Sequence, residues 1–271
     1  MTQNTGTEGK TSAKLLVEQR GAVLLLTISN PEARNALGPE IYGGAIAAFA
    51  TPAPSVRAIV LTGADGVFCG GGNLNRLQDT QKNKTPRHQA ESIENLHKLT
   101  RAMRTCPRPV IAAVEGAAAG AGFSLALSCD MIVAAEDAKF VMAYVKIGVS
   151  PDGGGSYSLS TLLPRQLAFE LLATGDAIGA PRLHSLGVVN QVVAPGQALG
   201  AALKLADRLA QGASVAQARI KRLIGSASEA HFSAHLDLER DNFAEALFEP
   251  EAREGIAAFL EKRKPDFIGK A

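Results

Sequence analysis

Short apolar runs bounded by glycine, proline and asparagine recur through the first 195 residues. "KLLVEQRGAVLLLTISN" reads as two strands around a turn at Arg20-Gly21. "VRAIVLTG" (56–63), "VIAAVEG" (110–116) and "VVNQVV" read as buried strands, each short, apolar and closed by turn signals. "MIVAAEDAKFVM" reads as paired strand segments. Elsewhere the period lengthens. Ile93, Leu96, Leu99 and Met103 fall at helical spacing and predict a helix over 89–104, ended by Pro107 and Pro109. Further helices are expected from about Pro39 to Phe49, from "GAAAGAG" through Leu127, and near 155–162 and 165–173. Residues 75–88 are polar and read as a mobile loop. After Pro195 only helical segments follow, broken near Gly212, Gly225 and Pro250. The pattern predicts a disordered tail over 1–13, an α/β core over 14–195 and a helical region over 196–271.

Composition narrows the partners. The 271 residues are 46% hydrophobic, ample for one large core. Basic and acidic residues nearly balance, 28 against 26, and no like-charge block stands out. That argues against a nucleic-acid or membrane-surface partner. No run reaches the roughly 18 apolar residues of a membrane span. Cys69, Cys106 and Cys129 show no CxxC spacing, which fits reduced thiols and a cytoplasmic location. Among the histidines, His231 and His235 are four apart but lack a third ligand nearby, so no metal site is expected.

Two small-residue loops each follow a buried strand: "FCGGGN" and "GAAAGAGFS". Small residues free backbone N–H groups to face a ligand, and the second loop also enters a helix whose first N–H groups lack partners. Two such donors converging on one oxygen would make an oxyanion hole. The same spacing also fits tight strand-to-helix packing without a ligand. A third stretch, "SPDGGGS", sets Asp152 between a proline and three glycines. Asp152 is either an acid/base at a ligand or the cap of the helix that follows.

Five pieces in order, "NPEARNAL", "FCGGGNL", "PVIAAVEGAAAGAGFSLALSCDMIVAAEDAKF", "IGVSPDGGGSYSL" and "GIAAFLEKRKPDF", carry a resemblance to the crotonase (enoyl-CoA hydratase/isomerase) superfamily, from about Val17 to Phe267. The resemblance implies a spiral of ββα units with a C-terminal helical trimerisation segment. It implies acyl-CoA thioester substrates, no separate cofactor because CoA is part of the substrate, and a homotrimer or dimer of trimers. The oxyanion donors map to the N–H groups of Gly72 and Ala121. The backbone of Ala33 and Arg34 falls where the family holds CoA, Gly70 and Leu74 line its adenine pocket, and Phe259 and Lys262 match C-terminal residues that contact CoA. Asn73 stands where the family usually has aspartate.

The two glutamates of family hydratases are missing: Ser124 and Tyr144 occupy their positions. Hydration needs a base for water and an acid for the α-carbon. Asp152 instead matches the acid/base aspartate of several isomerase branches. Moving a double bond needs one group, which takes a proton from one carbon and returns it to another. The resemblance therefore implies an acyl-CoA isomerase acting on a double bond or a ring-derived acyl group. A hydratase and a non-catalytic CoA-ester scaffold are the alternatives. Glu115 is a weaker candidate; Ser124 and Tyr144 are expected to contact substrate, with Tyr144 alternatively a buried side chain filling the space of the missing glutamate.

Overall fold

The computed structural model describes residues 13–269. The tail expected over 1–13 lies outside them except for Ala13, which is buried. The elements run β1 (Lys14–Arg20), β2 (Val23–Ser29), α1 (Pro39–Ala50), β3 (Ala58–Gly63), α2 (Leu74–Asn83), α3 (Pro86–Thr105), β4 (Val110–Val114), β5 (Ala117–Ala119), α4 (Ala121–Leu127), β6 (Met131–Ala135), β7 (Lys139–Val141), α5 (Gly155–Leu162), α6 (Arg165–Thr174), β8 (Ala177–Gly179), α7 (Ala180–Ser185) and β9 (Gln191–Val193). The helices α8 (Ala198–Ala210), α9 (Ser214–Ser226), α10 (Phe232–Leu247) and α11 (Pro250–Leu260) complete the chain.

Six strands form one sheet in the order β1-β2-β3-β4-β6-β9. The hairpin of β1 and β2 is antiparallel, and every later pairing in this sheet is parallel. Side chains alternate across a strand. Leu24, Leu26 and Ile28 enter the main core, while Val23 and Leu25 join Val60, Ile111 and Val133 beneath α8. Burial on both faces is why the central strands read as unbroken apolar runs. Helix α8 closes its face with Ala198, Ala202, Ala206 and Ala210, one alanine per turn. Small side chains let the helix sit close to the sheet. A second sheet, β5-β7-β8, stands beside α4.

Two expectations need correction. Residues 75–83 and 86–88 are helical rather than one loop: Asn73 caps α2 through Arg76 N, Thr85 caps α3 through His88 N, and Pro86 opens α3. The stretch is polar because α2 buries no residue. "MIVAAEDAKFVM" supplies two strands that do not pair with each other. β6 joins β4 and β9, whereas β7 joins β5 and β8. A tight turn, with Ala138 N donating to Ala135 O at 3.0 Å, carries the chain from one sheet to the other. The short elements β5, β8 and α7 had no apolar period long enough to announce them.

The helical region is anchored by a buried polar joint. Arg57 donates through Nε to Ala210 O and through Nη2 to Gly212 O, both at 2.7 Å. Glu251 accepts from Ser214 N at 2.8 Å, Ser214 Oγ at 3.0 Å and Val215 N at 2.9 Å, and stands 3.9 Å from Arg57. Glu251→Ala would strip a buried cation of its counter-charge and a helix start of its acceptor. We expect it to lower stability by about 3 kcal/mol in denaturant unfolding. A loss below about 0.5 kcal/mol, ordinary for a surface change, would contradict this role. No helix among the described residues is long and apolar enough to cross a membrane.

Candidate active site

The chain beyond β3 runs alongside β5. Cys69 N donates to Ala117 O at 3.1 Å, and Ala119 N returns a bond to Cys69 O at 2.9 Å. On the other side Leu37 N donates to Gly71 O at 2.7 Å, and Leu37 bridges Gly72. The glycine loop is thus clamped between the entry to α1 and the entry to α4. Gly71 has φ +91°, and a Cβ there would stand 2.5 Å from Ala119 O and 3.3 Å from Ala121 N. Only glycine fits such an approach. A Cβ at Gly122 would collide with Cys69 O, so the two loops touch again one residue later.

This contact sets the Gly71–Gly72 backbone beside the start of α4, where Ala121 lies. Ala121 opens α4, so its N–H has no intrahelical partner. Neither N–H donates a hydrogen bond among the described residues. Two free amide donors aimed at one oxygen, one of them at a helix start, would stabilise negative charge there.

Asp152 approaches from a third segment. Tyr144 Oη donates to Asp152 Oδ1 at 2.6 Å, and Ser124 Oγ donates to the Asp152 carbonyl at 3.0 Å. The Tyr144 ring also packs over the turn before α4: a Cβ at Gly120 would stand 3.8 Å from its Cζ. One tyrosine therefore spans from Gly120, beside the donor Ala121, to the carboxylate. Burial pushes the Tyr144 hydroxyl upward, and the Asp152 charge adds to this, so the phenol stays protonated and donates.

The glycines after Asp152 serve packing. A Cβ at Gly153 would meet Leu96 at 3.0 Å and Ser124 Cβ at 3.2 Å, and one at Gly155 would meet Ser124 Oγ at 2.5 Å. The loop backbone can thus lie directly on α4. Helix α5 starts after Gly154 without any side-chain cap. The helix-cap alternative for Asp152 therefore fails. Its Oδ2 accepts no hydrogen bond from the described residues.

Other candidates fall in different places. Ser124 is fully buried with its hydroxyl taken by the Asp152 backbone, so the expected substrate contact is lost. Tyr144 likewise turns its hydroxyl to Asp152 rather than outward. Asn73 uses its side chain to cap α2. Ala33, Arg34, Gly70 and Leu74 share one rim: Gly70 N donates to Arg34 O at 2.8 Å, and Leu74 lies exposed at the start of α2. Phe259 and Lys262 stand at the end of α11, which packs on α10; Phe259 is 83% exposed. The structure does not bring either to that rim within one chain.

Glu115 points away from the site. Its carboxylate accepts from Gly196 N at 3.0 Å and Ala198 N at 2.7 Å, holding the start of α8. Asp130 accepts from Val110 N at 2.8 Å and Lys221 Nζ at 2.7 Å, joining β4 to α9. Cys69 is buried, and burial pushes its thiol up to about 12, so it stays an inert apolar side chain. A cavity of about 280 Å³, lined by Arg104, Asp130, Asn190 and Lys221, lies at the C-terminal end of α4, opposite the oxyanion donors. Among the described residues no three His, Cys, Asp or Glu side chains gather to hold a metal.

The sequence reading missed Tyr42, in the first turn of α1. Burial raises its hydroxyl, with the Asp152 charge second, so Tyr42 stands within electrostatic reach of the carboxylate. Its place depends on the Leu37–Gly72 bridge, which no local pattern announces.

The architecture recurs in known proteins. A family described as enoyl-CoA hydratase/isomerase matches residues 18–270. The chain is 37% identical over 251 residues to a 1,2-epoxyphenylacetyl-CoA isomerase of Escherichia coli, covering 92% of this chain and 95% of that protein. It is 32% identical to a 2,3-dehydroadipyl-CoA hydratase of the same organism, over 95% of this chain and all of that one. The crystal structure of an enoyl-CoA hydratase from Polaromonas sp. JS666 superposes with a TM-score of 0.91 at 54% identity, over 93% of this chain and 99% of that one. The chain belongs to the enoyl-CoA hydratase/isomerase family, within the crotonase superfamily.

Proposed function

We propose that the chain is an acyl-CoA isomerase that moves a double bond, or rearranges a ring-derived acyl group, with Asp152 as its proton shuttle. The thioester carbonyl sits on the Gly72 and Ala121 N–H groups. Asp152 Oδ2 removes a proton from one carbon, negative charge passes to the carbonyl oxygen, and the same carboxyl returns the proton to another carbon. Tyr144 holds Oδ1, so one oxygen is kept for the transfer. No cofactor is needed beyond the CoA of the substrate.

The observation that carries this reading is the hydrogen bond from Tyr144 to Asp152, with Ser124 tied to the Asp152 backbone. The two side chains at the hydratase glutamate positions both serve the aspartate. No carboxylate is left to activate water there. The similarity to a 1,2-epoxyphenylacetyl-CoA isomerase also supports isomerisation. A hydratase is the second reading, because many relatives bear that name. A panel of 3-enoyl-, 2-enoyl- and ring-type acyl-CoA thioesters separates them. We expect turnover of a 3-enoyl or ring-type ester without water addition to the 2-enoyl ester. Hydration as the fastest reaction would reject the isomerase.

The assembly we propose is a trimer or a dimer of trimers. Phe243, Phe259 and Leu260 on α10 and α11 are each more than 70% exposed in the single chain, which supports burial against another copy. A monomer by light scattering would reject it.

A further inference from the structure

The cavity of about 280 Å³ at the C-terminal end of α4 takes no part in the proposed double-bond shift. Five segments wall it: the end of α3, the stretch 127–132, α5, the turn before β9, and α9. The charges around it do not cancel. Lys221 Nζ donates to Met103 O at 2.8 Å, Arg108 O at 3.2 Å and Asp130 Oδ2 at 2.7 Å. Its three hydrogens are spent, and the Asp130 charge is met. Arg104 is left over. Its guanidinium lies over the Tyr157 ring, 5.5 Å from the centroid, and makes no hydrogen bond or ion pair among the described residues. Stacking on a ring steadies a guanidinium and leaves its N–H edge free for an anion. Asn190 supplies a second donor. Its Oδ1 accepts from Ile132 N at 2.8 Å, and its Nδ2 makes no hydrogen bond among the described residues. Ser128 and Thr161 spend their hydroxyl hydrogens on backbone carbonyls. Leu127, Ile132 and Leu162 add apolar surface.

We propose that this cavity is a binding site for a small aliphatic monocarboxylate, separate from the acyl-CoA site and independent of the reading of Asp152. The planar fork of Arg104 matches the two oxygens of a carboxylate. Asn190 Nδ2 adds a donor, and the alkyl chain lies on Leu127, Ile132 and Leu162. Arg104 and Lys221 against Asp130 leave one net positive charge, which suits a monoanion. A dianion such as phosphate would bring a second charge toward Asp130 and gain nothing from the apolar wall. An amine would meet the unpaired Arg104. The volume lies just below the range of about 300–1,000 Å³ for drug-sized ligands, which fits a short chain rather than a larger molecule.

The test is ligand-observed saturation-transfer NMR on the full chain with hexanoate, hexan-1-ol and hexylammonium, each titrated alone. Hexanoate should saturate with a Kd of about 1 mM, and the other two should bind at least about tenfold more weakly. Arg104→Gln should weaken hexanoate by about tenfold or more, the worth of a charge-assisted hydrogen bond. It breaks no protein hydrogen bond, so its melting curve should stay close to wild type. Asn190→Asp keeps the acceptor for Ile132 N, sets a second carboxylate in the cavity and should abolish binding. If Arg104→Gln melts early, Asn190→Asp decides alone. Saturating hexanoyl-CoA should leave hexanoate bound, and Asp152→Asn should bind it like wild type. Hexanoate that fails to saturate by about 20 mM would overturn the proposal. So would equal binding of hexylammonium, or wild-type affinity in both cavity variants. Displacement by hexanoyl-CoA, or loss of binding in Asp152→Asn, would place the carboxylate in the acyl-CoA site and overturn it as well.

Discussion

Asp152→Asn is expected to lower isomerisation by about 10²- to 10⁴-fold, the range for a lost general base. The fold should survive. The Asp152 carboxylate accepts one hydrogen bond, from Tyr144, and an asparagine amide oxygen accepts the same bond in the same place. No helix cap is lost, because α5 starts on Gly154 without one. Affinity for the acyl-CoA ester should change little, since the carbonyl is held by backbone groups. A purely structural aspartate would give the opposite pattern, a shifted melting curve with turnover preserved. Turnover by stopped assay and melting by circular dichroism read the two quantities separately. A folded, fully active Asp152→Asn would end the assignment. Glu115 could not then replace it, because its carboxylate is committed to α8.

Gly71→Ala should be comparably severe. The new methyl would stand 2.5 Å from Ala119 O and 3.3 Å from Ala121 N, on a residue with φ +91°. Neither neighbour is a flexible side chain; both are backbone of the second oxyanion loop. The loops must separate, and the donors of Gly72 and Ala121 separate with them. Loss of one oxyanion donor is worth about 10²- to 10³-fold in kcat. Stability should fall by about 1–3 kcal/mol from the strained backbone alone. Gly21→Ala is the matched control: φ is +58°, but nothing lies within 4 Å of the new methyl, and the residue sits in the turn between β1 and β2. It should show the strain without the loss of turnover. Turnover by Gly71→Ala within threefold of the Gly21→Ala control would mean that Gly72 is not a donor.

Much of the frame was legible locally. The apolar runs of β2, β3 and β4 announce strands because both faces of the sheet are covered, and the alanines of α8 fall one turn apart. The glycine loops were visible either as ligand-facing turns or as tight packing, and their collisions with neighbouring backbone show the packing. Helix α2 was hidden because it buries nothing, leaving its caps at Asn73 and Thr85 as the signals to read. Strand β5 is three alanines, with no period to detect.

The site was harder to read than the frame, for one physical reason: partners lay far apart in sequence. Glu115 meets Gly196 and Ala198 across more than 80 residues. Ser124 meets the Asp152 backbone across 28. Leu37, at the entry to α1, meets Gly72 in the glycine loop. Residue type told what each group could do, but its partner decided what it faces. Ser124 and Tyr144 look alike as substrate contacts until both are found turned toward Asp152.

The central claim is that Asp152 moves a substrate proton without adding water. Incubating a 2-enoyl-CoA with the enzyme in deuterium oxide, followed by NMR, tests it in one sample. An isomerase forms the dienolate repeatedly, so deuterium should enter at the α- and γ-carbons while the ester remains an enoyl-CoA. Accumulation of 3-hydroxyacyl-CoA with deuterium at the α-carbon alone would contradict the account.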